Sequence, residues 1–86
     1  MRHTDYTKWS TTRGDLRVDE VEHMFGFDLI LSQKVGPQIF GPLRTITGRT
    51  HTLTAVEQCR CKRWLKAYEE KEWAQIEIVE QQLMEA

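Results

Sequence analysis

Lys34, Arg44, Arg49, Arg60, Lys62, Arg63 and Lys66 all fall within residues 31–66, against one carboxylate, Glu57. Cations gathered this way suit a phosphate backbone, because each neutralised phosphate releases condensed counterions. The rest of the chain has the opposite sign. Residues 1–30 hold four cations and six carboxylates, and residues 67–86 hold Lys71 against six glutamates. The formal net charge of −1 therefore hides a basic centre between acidic ends. Such a pattern is an electrostatic footprint for a polyanion. It also describes a solvated basic face that pairs with the acidic tail of a neighbour.

Other chemistry is poorly served. Cys59 and Cys61 are two apart, so on a helix they point about 200° from each other and cannot bridge. No His or further Cys follows at a ligand spacing, so no metal site is expected. Glu20 with Glu22 or His23 reads as a solvated helix face rather than an acid–base pair. There is no Gly-rich phosphate loop and no Ser/His/Asp set at a recognisable spacing. These readings imply no enzyme and no cofactor. The hydrophobic share of 40% and charged share of 29% are those of a globular chain, and 86 residues suit one small domain that a second copy helps to stabilise. No apolar run approaches a membrane span and the start lacks an apolar signal region, so a cytoplasmic protein is expected.

The elements that would position the cations follow from pattern. Residues 1–14 are polar, with Tyr6 and Trp9, and read as an arm or short strand, Trp9 packing on the core. Leu16, Val21, Met24 and Phe25 fall near helical spacing, with Asp15 as cap and Gly26 as stop, which predicts a first helix over 16–25. Asp28 is placed to cap a second, short helix at about Leu29–Val35, ended by Gly36-Pro37. The β-branched and aromatic stretch 38–53, with Gly48 between two Thr-rich runs, predicts a hairpin. Thr54-Ala55-Val56-Glu57 is a capping box. Nothing after it breaks a helix, so one rod of roughly 45 Å is expected to the C-terminus. Tyr68, Ile76, Val79 and Leu83 lie on its apolar stripe and are the candidate dimer or partner interface.

The run Leu16-Arg17-Val18-Asp19-Glu20-Val21-Glu22-His23-Met24-Phe25-Gly26 resembles the first helix and Gly turn of the MerR, excisionase and phage small-terminase-subunit group of winged helix-turn-helix proteins. Arg44 to His51 resembles their wing, and Thr54-Ala55-Val56-Glu57 the start of their post-wing helix. Ala55-Val56, Trp64-Leu65 and the acidic run from Glu69 are similar to the DNA-recognition subunit of phage terminases. The resemblance covers about residues 16–66. It implies an α+β, mainly helical fold: a winged helix-turn-helix over 15–66 with a β-hairpin wing, and an acidic C-terminal helix over 67–86 for dimerisation or partner binding.

It also implies roles. Ser32, Gln33 and Lys34 would face the major groove, where Gln pairs with adenine and Lys with guanine. Arg49 and His51 would sit at the wing tip with Arg44 flanking, and Arg60 and Arg63 would hold backbone phosphate alongside Lys62 or Lys66. The expectation is double-stranded DNA binding by a homodimer, in phage DNA packaging, excision or transcription regulation, with a larger protein partner as a further possibility. The apolar Leu29-Ile30-Leu31 favours the alternative, a protein-binding adaptor or inhibitor that keeps the fold without using DNA.

Overall fold

Leu16, Val18 and Glu20 are buried; of the alternate positions Arg17, Val21 and His23 are half-exposed and Asp19 is buried beside Arg17, whose Nε donates to it at 2.8 Å, and a side-chain period of two is that of a strand. The computed structural model describes residues 6–85. In it the first half of the chain is a meander of four strands, β1 (Tyr6–Arg13), β2 (Leu16–His23), β3 (Gly26–Gly36) and β4 (Ile39–Arg49). Each pairs antiparallel with the next, in the order β1-β2-β3-β4. Two helices follow, α1 (Ala55–Glu69) and α2 (Trp73–Met84). The fold is mainly sheet, which overturns the expected mainly helical winged helix-turn-helix. The predicted first helix is β2 with its turn, and the predicted second helix is part of β3. The predicted wing is a single strand that runs through Gly48 without turning.

Three two-residue turns join the strands: Gly14-Asp15, Met24-Phe25 and Pro37-Gln38, as the flanking pairs Arg13↔Leu16, His23↔Gly26 and Gly36↔Ile39 show. Short turns of this kind match the twist of adjacent strands. The Met24-Phe25 turn is tied by a side chain: Phe25 N–H donates to His23 Nδ1 at 3.1 Å, and the other ring nitrogen meets Asp28 Oδ1 at 3.0 Å.

Both helices cover one face of the sheet. Leu16, Val18, Leu29, Leu31 and Ile46 meet Cys61, Trp64, Leu65, Ala67, Ile76, Val79 and Leu83 across that interface, with Trp9 and Tyr68 packed at its edge. Ile76, Val79 and Leu83 are therefore core residues, which removes them as an interface with a partner; Tyr68 is half-buried against the core. A stripe at helical spacing reads the same whether it faces its own sheet or another chain.

The rod is also two helices. The capping box forms as expected: Glu57 N–H donates to Thr54 Oγ1 at 3.2 Å, and Thr54 N–H to Glu57 Oε1 at 2.9 Å. At the other end of α1, Lys71 takes φ 56. Lys71 N–H then donates to the Tyr68 carbonyl and Glu72 N–H to the Ala67 carbonyl. These two bonds and the left-handed residue between them are a Schellman stop, here built on lysine instead of glycine. Trp73 meets the Tyr68 ring edge-on at 5.6 Å, and α2 returns antiparallel to α1. The expected 1–14 arm is β1 from Tyr6 on; residues 1–5 of that arm and Ala86 of the expected rod lie outside the described residues.

Candidate nucleic-acid interface

The basic segment divides among four places. Arg44 leaves β4 on the helix side, and its Nε and Nη2 donate to the two Glu80 carboxylate oxygens at 2.6 Å each. Trp64 Nε1 donates to Glu80 as well, at 3.0 Å. This cluster clamps α2 to the sheet edge and uses Arg44 internally. Ser32 is buried opposite Arg17 on the sheet face away from the helices, and Lys34 lies two residues on, on that same outer face. Gln33 points to the helix side and lines a shallow hollow with Leu16 and Tyr68. His51 is exposed in the β4–α1 connection.

Arg49 is the clearest departure from the expected wing tip. It is 4% exposed, at the end of β4 beneath the helices. Its Nη2 donates to Glu57 Oε1 at 3.0 Å and its Nη1 to the Leu83 carbonyl at 2.6 Å. One guanidinium thus joins the start of α1 to the end of α2. Glu20, 1% exposed, faces the same region from β2. It accepts from Leu53 N–H at 2.8 Å and from the Thr52 hydroxyl at 3.0 Å, which fixes the segment between β4 and α1. Buried carboxylates need such donors, and a buried guanidinium needs such acceptors.

The sequence signal for this network is slight. Glu57 is visible as a cap, but nothing in the local pattern marks Glu20 as buried.

Cys61 is enclosed by these charges. Burial pushes its thiol up to about 12, with Arg49 pulling it down and Glu20 and Glu57 pushing it further up. It stays protonated at neutral pH and is no nucleophile.

Glu57 carries a pH dependence. Burial pushes its carboxyl up, but donation from the Thr54 backbone and from Arg49 outweighs this, so it lies below the ordinary 4.5. A carboxylate with a depressed folded value contributes stability above its unfolded value and loses it as pH falls through the folded one. Thermal unfolding should therefore show a midpoint that drops as the pH is lowered from neutral to below 4.5. Glu57→Gln should start lower and fall less steeply. Equal slopes for the two proteins would show that Glu57 does not carry the effect.

The remaining basic residues share one helix. Lys62, Arg63 and Lys66 are exposed and Arg60 is half-exposed on α1, within two turns of each other. Among the described residues, Lys8, Arg13, Arg17, Arg44 and Arg49 each have a carboxylate within 4 Å. None of the four α1 cations does. Of the eight sequence-predicted contacts, only Arg60 and Arg63 share one helix, with Lys62 and Lys66; Lys62, Arg63 and Lys66 lie on its exposed face, while Arg60 sits at its flank, about 200° round from Lys62, with its Nε buried. Six residues at 1.5 Å each place these heads along roughly 9 Å, a reach of two to four phosphates on a duplex.

No set of three His, Cys, Asp or Glu side chains among the described residues could hold a metal ion, and no helix is long and apolar enough to cross a membrane. Comparison with known proteins gives no match: no family model fits the chain, and no curated protein or solved structure is significantly similar to it.

Proposed function

We propose that this domain is a non-catalytic, cytoplasmic binding module that lays the solvent face of α1 on a polyanionic backbone, with double-stranded DNA as its ligand. The observation that carries the reading is the run of four α1 cations without a carboxylate within 4 Å among the described residues. Cations that form no direct ion pair can turn to phosphate, even with Glu70 and Glu72 lining one hollow with Arg63 and Lys66, whereas Arg44 and Arg49 would first have to break internal bonds. The exposed cations of the helix offer ammonium and guanidinium groups, and the one amide on α1 is half-exposed Gln58, a turn before Lys62, so contacts to phosphate dominate and sequence selectivity is low. Affinity in the non-specific range, on the order of 10⁻⁴–10⁻⁶ M at physiological salt, follows.

Fluorescence anisotropy of a labelled duplex tests this. Two to four phosphate contacts give a log–log salt slope of roughly −2 to −3.5. Lys62→Glu/Arg63→Glu/Lys66→Glu should abolish binding at low salt. Lys34→Glu, on the sheet face away from the helices, should lose far less than the α1 triple variant at physiological salt, where the Debye length is about 8 Å. A wild type that does not bind at low salt, or an equal loss in Lys34→Glu, would sink the assignment.

A second reading rests on the β2–β3 turn, where Phe25 is 85% and Met24 68% exposed. Adjacent large apolar side chains at a turn suit a protein partner, and such docking would survive salt that removes DNA.

A further inference from the structure

The helix layer carries two parallel stripes of opposite charge. α1 presents Lys62, Arg63 and Lys66 to solvent. α2 contains neither lysine nor arginine, and exposes Glu77 with Glu85 just beyond its end. The turn between the helices adds exposed Glu70 and Glu72 on either side of exposed Lys71, one net negative charge. Ile78 is 52% exposed on the outer side of α2, a turn from exposed Ala74. The helices run antiparallel side by side, since Arg49 ties Glu57 at the start of α1 to Leu83 near the end of α2.

We infer that a second copy of this chain covers the layer, the acidic α2 of each copy lying on the basic α1 of the other. The symmetry selects this arrangement. A two-fold axis parallel to the helices sets each α1 against the partner's α2, so unlike charges meet at both contacts. It also makes every neighbouring helix pair antiparallel, as in a four-helix bundle, which aligns opposite ends of the helix dipoles. A two-fold axis across the helices would set α1 on α1 and repel. The central apolar content comes from Ile78 and Ala74.

The size of the layer sets the strength. Two helices of about 20 Å, packed 8–10 Å apart, offer roughly 400–500 Å² per copy, about half of what a standard stable interface uses on each side. An interface of that size is at the low end for specific association, so the dimer is weak, and its charge contacts make it sensitive to salt. If α1 also binds DNA, which rests on the reading above, dimerisation masks the site and duplex competes with the second copy.

Sedimentation velocity without nucleic acid tests the dimer. At low salt and high protein concentration the wild type should approach twice its 10.2 kDa chain mass, falling to one chain at moderate salt. Arg63→Glu/Lys66→Glu and Glu77→Lys/Glu85→Lys should each be monomeric, with circular dichroism confirming the fold. An equimolar mixture of the two variants should associate again, since reversed α1 meets reversed α2 at one contact and the native pair meets at the other.

A monomeric wild type at low salt, a variant that still dimerises, or a mixture that stays monomeric would each overturn the proposal. Duplex added to the wild type should release single chains, and binding to an intact dimer would overturn the masking. A mixture that associates while wild type and Glu77→Lys/Glu85→Lys both fail to bind duplex would support the dimer and end the DNA reading.

Discussion

Arg49→Met should lose about 3–5 kcal/mol of folding stability, the range for breaking one side of a buried ion pair. A domain of this size has roughly 4–13 kcal/mol in total, so the variant should be partly unfolded near room temperature. The reason is what the guanidinium leaves behind. Glu57 would keep a buried negative charge with Thr54 alone to stabilise it, and the Leu83 carbonyl would lose its donor. Glu20 would add a second buried carboxylate to the same region without a cation to offset it. Urea denaturation measures the loss. Arg49→Met/Glu57→Gln should recover part of it, because a Gln carbonyl still accepts from Thr54 while the stranded charge is gone. A loss under about 1 kcal/mol would place Arg49 at the surface, where substitutions have effects of that size or less. The same geometry governs any binding study: Arg49→Glu would abolish DNA binding by unfolding the domain, and says nothing of contact.

The sorting of charge along the chain was legible because it is a property of composition, and the capping box because it is local. The pairing of charges was not. Arg44 meets Glu80 across 36 positions and Arg13 meets Glu69 across 56, separations at which no local pattern constrains geometry. The strand pattern of β2 is masked in the sequence. In β2 the inward positions are Leu16, Val18 and Glu20, and a buried glutamate interrupts the apolar alternation that would have marked a strand. Val21, Met24 and Phe25 completed a helical spacing instead, although Met24 and Phe25 are in fact a turn. The 38–53 stretch is recognisable as β-structure, but a glycine between Thr-rich runs marks a hairpin tip and an irregular strand alike, and Gly48 lies within one strand. The break after α1 left no mark because a lysine occupies the left-handed position that glycine or asparagine usually signals.

Gly26→Ala should be the most damaging single-methyl change in the domain. Gly26 has φ +142, and a Cβ there would lie 2.2 Å from the Arg49 carbonyl oxygen, which is backbone and cannot turn aside. Backbone strain at such an angle is worth about 1–3 kcal/mol, and forced displacement of a packed neighbour a similar amount, so a loss of roughly 2–5 kcal/mol is expected. Gly48→Ala supplies the control. It has φ +84 with nothing within 4 Å of the added carbon, so it carries strain without collision and should cost about 1–2 kcal/mol. The two variants separate the contact from the angle. The collision also pushes on the residue whose side chain holds both helices, so the effect should not stay local. If the added methyl displaces the end of β4, it withdraws the guanidinium from Glu57 and Leu83. Gly26→Ala and Arg49→Met should then be less than additive in urea denaturation, since each removes part of the same contact. Strict additivity, or a Gly26→Ala no worse than Gly48→Ala, would show that the close approach of the β2–β3 turn to β4 does not support the buried network.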